Sequence, residues 1–506
     1  MRPVNFKMPK LNKILILIFC TLNKIGLESQ TITVIFVSNE LVNLDIMYSA
    51  MRNLLYASIF AICFLSCNST FQGAKKTNLG EEPIDRIAFE QQVISDIRLS
   101  WSQYVKYASG MDELFPLSQS GHNLNEYSMV LTPLSAYQTL KYAGLTEEAT
   151  QCANIIKNKL DLDLDQEVDF YDIVKNVLGG LISIYETNND PWFLEKAVKL
   201  AEKLDPVFKG NLGMPYQKIN LKTGKVNGEN ASPEGAAGFL IEYYKLSQLT
   251  AKSKYYEQAM NAIRNLFAKQ SKINLIGSQI NIRNGIWSNP EAMIFGGSKG
   301  LERALLTMAS FSSDEELRSI AIKHMNAILK YLPETTSSGL WYEVSNMNLG
   351  TQVNAVFSLG GGYFPGMLYL NDKVKDGDKL FESYLRLWFE YGIAPDQMDY
   401  KTFRIASASY LLRGEPLESC LIMSRLGSER AYRAGNNMYF SISKFCKTDS
   451  GFSALKDVRN LEKMDEMDYY LFSQTLKFAL LLANNDVTMY APQTHYISNG
   501  GYIFKK

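Results

Sequence analysis

Glu415 and Glu418 stand three residues apart behind Arg413, in the run Leu412-Arg413-Gly414-Glu415-Pro416-Leu417-Glu418-Ser419. That spacing puts both carboxylates on one helix face. Two readings stay open from these residues alone. Carboxylates are favoured at a helix start by the positive end of its dipole, and they are also the groups that acid–base chemistry uses. Only three histidines are present, His122, His324 and His495, so a zinc site built from histidine is not expected. Past residue 67 the cysteines are Cys152, Cys420 and Cys446, too few for a disulfide framework, and Cys420 sits in an apolar run as a small buried hydrophobe would. The 29 Tyr and 26 Phe supply rings that suit helix packing and sugar faces alike.

The elements that must position these groups are helices. From residue 83 onward the apolar spacing is helical nearly throughout. Ile94, Ile97, Trp101, Tyr104 and Val105 make one stripe. Phe170, Ile173, Val174, Val177, Leu178, Leu181 and Ile182 make a wider one, suited to a helix buried on much of its circumference. Thr132-Pro133, Asp190-Pro191 and Ser232-Pro233 each read as an N-cap followed by Pro in the first turn. Ser313 with Glu316 reads as a capping box. Further stripes cover 378–391, 415–426, 428–446 and 466–483, and strand alternation is confined to short patches such as 276–282. An aromatic residue followed closely by a small one recurs at Trp192 to Ala197, Tyr255 to Ala259 and Tyr432 to Gly435. Repeated helix pairs make either a solenoid or a closed toroid. Irregular hairpin lengths and the loop Gly360-Gly361-Gly362 favour the toroid, whose loops converge at one end and can build a pocket.

Charge and hydropathy exclude other classes. Lys+Arg and Asp+Glu both total 52, so the net charge is zero and the basic surface that a nucleic-acid partner needs is lacking. No run of eighteen apolar residues is present, so an integral membrane protein is not expected. Met51-Arg52-Asn53, an apolar run from Leu54 to Leu65 and Ser66-Cys67 have the layout of a bacterial lipoprotein signal, in which Cys67 is lipidated; an ordinary cleaved signal is the alternative. Residues 1–50 then read as an upstream extension, 51–67 as signal and lipobox, 68–83 as a polar tether and 84–506 as the folded domain. The expected product is exported, to the periplasm or cell surface or through a secretory pathway. It is expected to be a monomer that meets the membrane only through Cys67.

Several ordered segments resemble glycoside hydrolase family 47, the class I α-1,2-mannosidases and their relatives in glycoprotein degradation. They are Trp101 to Leu114, Leu178-Gly179-Gly180-Leu181 to Tyr185, Met214-Pro215-Tyr216, Asn220 to Gly224 and Ile241-Glu242-Tyr243 to Thr250. Leu412 to Ser419, Gly451 to Val458 and Met467 to Lys477 follow in order. The resemblance spans about residues 85–495 and implies an all-α fold, the (α/α)7 barrel of inner and outer helices. It also implies removal of α-1,2-linked mannose from a glycan with inversion, and a calcium ion at the barrel floor that touches the sugar. Inversion needs one carboxyl group to protonate the leaving oxygen and another to activate water.

Carried over position by position, Glu415 falls where the family deprotonates water, with Arg413 and Glu418 completing its Arg-Pro-Glu-x-x-Glu segment and Gly414 in place of Pro. Counted back from Leu178-Gly179-Gly180, the family's acid Glu becomes Asp172 and its Arg becomes Asn176. An Asp reaches one methylene less far. Ser298 replaces the acidic residue ahead of Lys299 and Glu302, and Ser135 and Gln138 replace two further Asp. Gln474 stands for a Glu, Tyr470 keeps a ring for a sugar face, and Gly235 replaces another Glu unless Glu234 slips into its place. The family's terminal calcium-binding Thr maps onto Pro492 if His495 anchors the register, or onto Thr494 after a two-residue slip. The substitutions leave a second reading beside the hydrolase, a catalytically impaired relative that binds glycans.

Overall fold

The structure, a computed structural model, describes residues 78–506 except 81, 211 and 485. The upstream extension, the signal with Cys67 and most of the tether lie outside the described residues. Helix α1 (Arg86–Ala108) opens the fold, capped by Asp85, whose carboxylate accepts from the Ala88 amide. Six helical hairpins follow: α2 (Leu131–Tyr142) with α3 (Thr146–Lys159), α4 (Gly179–Asn188) with α5 (Pro191–Leu204), and α6 (Leu240–Thr250) with α7 (Lys254–Phe267). Then come α8 (Lys299–Ala309) with α9 (Glu315–Tyr331), α10 (Phe364–Leu370) with α11 (Val374–Tyr391), and α12 (Glu415–Arg425) with α13 (Glu429–Cys446). The last helix, α14 (Lys477–Ala483), packs against α1.

The even-numbered helices form an inner ring. Each touches the next from α2 to α14, and the π-helical turn Leu471–Leu476 ahead of α14 returns to α2. The ring therefore closes, giving the (α/α)7 toroid. Burial explains the two layers. On α12 every residue from Glu415 to Met423 is buried, whereas α7 buries one stripe, including Tyr255, Ala259, Ile263 and Leu266. Polar contacts tie the layers and close the ring. Buried Asp96 on α1 accepts from the Tyr439 hydroxyl (2.7 Å), the Ser443 hydroxyl (3.1 Å) and the Lys447 ammonium (2.6 Å). His324 on α9 meets Glu302 on α8 at 2.7 Å, both side chains buried.

Strands are short antiparallel pairs and triplets between the helices, among them Gln279–Asn281 inside the expected 276–282 patch. Two expected caps hold: Asp190 accepts from the Trp192 amide and Ser232 from the Gly235 amide. Two others shift. Asp314, not Ser313, caps α9 by accepting from the Leu317 amide at 3.0 Å. Thr132 lies inside α2, which starts after left-handed Val130, and its hydroxyl is taken by the Asp112 carbonyl at 2.6 Å. Cys152, Cys420 and Cys446 are free and buried.

Candidate active site

One cavity of about 190 Å³ opens onto the inner ring. Liquid water takes about 30 Å³ per molecule, so this is room for roughly six waters, the scale of one sugar ring. Glu415, at the first position of α12, lines it together with Arg413, Glu234, Tyr470 and Gln474. The structure thus gathers five of the residues singled out by sequence.

Glu415 is 4% exposed, and its Oε1 receives the Lys299 ammonium at 2.6 Å; the Arg413 guanidinium lies 3.8 Å away. Burial pushes this carboxyl up, but Lys299 and Arg413 outweigh it and hold it at about 2. Arg413 is fixed from behind by Asp396 at 2.7 Å. Glu234 sits in the short helical turn Pro233–Ala237, and its Oε2 accepts from the Gly300 amide at 3.0 Å, in the first turn of α8. Burial raises the Glu234 carboxyl above its ordinary range, against the opposing pull of Lys175 and Lys299. Gly300 makes this approach possible, because a Cβ there would overlap the Tyr171 hydroxyl and fall 2.9 Å from Glu234 Oε2. The two carboxyl groups of the cavity are therefore biased in opposite directions, one ionised and one inclined to keep its proton.

Glu418, one turn along α12, joins the cavity through Arg303, whose Nη2 donates to it at 2.7 Å. Burial pushes Glu418 up to about 7, with Arg303 opposing and Glu415 adding to the rise. Tyr470 presents its ring to the cavity while its hydroxyl donates to the Leu411 carbonyl at 2.7 Å. Gln474 packs on Gly414, where a Cβ would come within 2.7 Å of the Gln474 Cβ; this close approach accounts for Gly in place of Pro.

Asp172 is elsewhere. The helix that carries it makes a π-helical turn over Val174–Leu178, one residue more than the α register allows for. Counting back from Leu178-Gly179-Gly180 misses that extra residue. Tyr171 therefore turns into the cavity, while the Asp172 side chain is 60% exposed and pairs with Lys175 at 2.9 Å. Asp172 lines a separate cleft of about 300 Å³ with Glu167, Asp169 and Lys218. Asn176 and Tyr469 stand between the two clefts, joined by a 2.9 Å hydrogen bond from the Asn176 amide to the Tyr469 hydroxyl.

Thr494 is also outside the cavity. It is exposed, its hydroxyl lies 2.9 Å from His495 Nδ1, and its carbonyl accepts from the Lys506 amide at 2.9 Å. The C-terminal hairpin pairs His495–Ile497 with Ile503–Lys505, and it is Asn499 in the intervening turn that reaches the cavity. The resemblance implies a calcium ion at this floor. The Arg303 guanidinium already lies there, 3.3 Å from the Asn499 carbonyl and bonded to Glu418. A divalent ion ~4 Å from a guanidinium would be repelled by about 8 kcal/mol at an effective dielectric near 20. The residues present do not fit the ion. Among the described residues, Glu113, Glu466 and Asp468 cluster closely enough to share a cation, but none of them lines the cavity.

Counting along the chain missed Tyr171, Lys175, Lys299, Arg303, Tyr469 and Asn499. One signal was present: Lys299 and Arg303 are four apart on α8, complementary to Glu415 and Glu418 three apart on α12.

The family model of Glycosyl hydrolase family 47 matches residues 96–504. The chain is 27% identical over 448 residues to human ER degradation-enhancing alpha-mannosidase-like protein 2, covering 83% of this chain and 77% of that one. It is 28% identical over 453 residues to human mannosyl-oligosaccharide 1,2-alpha-mannosidase IB, covering 83% and 70%. In three dimensions it is similar to an alpha-1,2-mannosidase from Trichoderma reesei, with TM-score 0.75, 18% identity, and coverage of 83% of this chain and 99% of that one.

Proposed function

The chain belongs to glycosyl hydrolase family 47, and we propose that it hydrolyses α-linked mannose from glycans with inversion, using Glu415 as base and Glu234 as acid. The observation that carries this reading is the opposite bias of the two carboxyl groups in one sugar-sized cavity. Glu415, kept ionised by Lys299 and Arg413, takes a proton from the attacking water. Glu234, whose burial favours the protonated form, gives one to the departing glycosidic oxygen, so that one proton is taken and one returned. Tyr470 and Tyr469 offer ring faces to the sugar, and Gln474 and Arg413 offer donors to its hydroxyls. Asp172 has no part in this scheme, and no step runs through calcium.

Export and lipid anchoring through Cys67 belong to the same proposal, with residues 51–67 as signal and 84–506 as one monomeric domain. Among the described residues no helix is long and apolar enough to cross a membrane.

A second reading has its own observation. The 2.6 Å contact between Lys299 and Glu415 weakens the carboxylate as a base, and Ser298 offers no charge where the family has an acid. A glycan-binding protein with impaired turnover would look the same. The test is incubation with α-1,2-mannobiose and other α-mannosides. The hydrolase reading expects release of mannose that is lost in Glu415→Gln. Sugar binding without release from any member would support the second reading instead.

A further inference from the structure

We infer that the Arg303 guanidinium stands at the floor of this pocket as a built-in cation, binding sugar hydroxyls and balancing Glu418 so that sugar recognition needs no divalent metal. The inference rests on reading the cavity as a sugar site. Its observations are charge, immobility and unspent hydrogen-bonding capacity.

Lys299 and Arg303 on α8 face Glu415 and Glu418 on α12 as two matched pairs, each at 2.6–2.7 Å. The second pair is almost wholly buried, 3% and 1% exposed, so Glu418 already has a full positive charge beside it. A group that must supply charge reliably must also stay put. The Arg303 guanidinium lies 4.9 Å from the centre of the Tyr363 ring, and the Tyr363 hydroxyl is itself anchored on the Ile294 carbonyl at 2.9 Å. Its Nη1 donates to the Asn499 carbonyl. Asn499 is held in turn, its amide donating to the Gly238 carbonyl at 2.7 Å.

What remains unused is a mixed set. Arg303 Nε, Glu418 Oε1 and Asn499 Oδ1 are buried without a protein partner among the described residues. An N–H donor and two oxygen acceptors on three residues linked through Arg303 suit hydroxyl groups, which both give and accept hydrogen bonds. Calcium takes oxygen ligands only and would leave the Nε–H unmet while adding positive charge to a matched pair.

The test uses the unliganded full chain, so a wrong choice of substrate leaves it standing. Thermal melting is followed with added calcium and with chelator, and mannose binding is measured by titration under both conditions, in the wild type, R303K and R303M. We expect no change of midpoint with calcium or chelator and a mannose affinity that moves less than about twofold. R303M should lose about tenfold or more in affinity, with part of it recovered in R303K, which keeps the charge but not the fork. A calcium response that disappears in N499A would overturn the inference, as would mannose affinity in R303M equal to the wild type. A calcium response that survives N499A and disappears in E113Q belongs to the acidic cluster and supports a metal-free floor. If R303M does not fold, the wild-type calcium titration with N499A decides.

Discussion

One residue of helical register separates Tyr171, which lines the cavity, from Asp172, which does not, and the acid role then falls to Glu234 on a different turn. Read without the π-helical turn, Asp172 is the acid; with it, Asp172 faces another cleft and Glu234 is the carboxyl group that accompanies Glu415. The two assignments predict different kinetics. Glu234→Gln should lower the rate on an α-mannoside by about a hundredfold or more, within the range of general acid catalysis, and Asp172→Asn should change it less than about threefold. The pH profile follows from the same bias. Glu415 must be ionised, and Lys299 holds it at about 2, so the rate should stay level through the acidic range. Glu234 must be protonated, so the rate should fall as pH rises through its elevated value. That alkaline fall should be missing from the residual activity of Glu234→Gln. An unaltered alkaline limb in that variant would remove Glu234 from the role. Glu415 and Arg413 are legible in the sequence because their spacing is uninterrupted, and Tyr470 and Gln474 because they fall in the ordered segment Met467 to Lys477 despite the π-helical turn within it. That Asp172 faces another cleft is not legible there, because a one-residue bulge leaves no mark in an apolar pattern.

Helices fix the site through backbone contacts that residue types hint at only weakly. Gly414 lies against the π-helical turn Leu471–Leu476, where a Cβ would meet the Gln474 Cβ at 2.7 Å and the Thr475 amide nitrogen at 2.9 Å. Neither neighbour is the free end of a flexible side chain, so Gly414→Ala must move one helix against the other. Overpacking of this kind costs about 1–3 kcal/mol. We expect a lower midpoint in chemical denaturation and a larger loss of activity than that destabilisation explains, since Glu415 and Gln474 both move. A midpoint equal to the wild type would show that the contact is slack. Helix existence was legible from periodicity along most of the chain, and ends were less so. Asp314 caps α9 where the box Ser313…Glu316 pointed one residue earlier, because two adjacent polar residues compete for one cap.

At the scale of the molecule, the closed ring is readable from paired stripes and ordered family segments, while its closure, where the turn Leu471–Leu476 meets α2 and α1 meets α13 and α14, depends on contacts no local pattern encodes. Asp96 illustrates this. In sequence it is one charge on an amphipathic helix, yet it lies buried and receives Tyr439, Ser443 and Lys447, some 350 residues further on. The C-terminal hairpin is a second case. Its sequence points to Pro492 or Thr494 at the metal-binding position, whereas its turn delivers Asn499 to the floor beside Arg303. Inside the ring, a sugar-sized cavity sets Glu415, held ionised, beside Glu234, whose burial favours its protonated form, an arrangement suited to direct attack by water. The most direct measurement is proton NMR of wild-type protein acting on α-1,2-mannobiose, following the anomeric signals from the first minutes. The account predicts that the mannose freed from the non-reducing end appears first as the β-anomer and then mutarotates. Appearance of the α-anomer first, or no release at all, would contradict it.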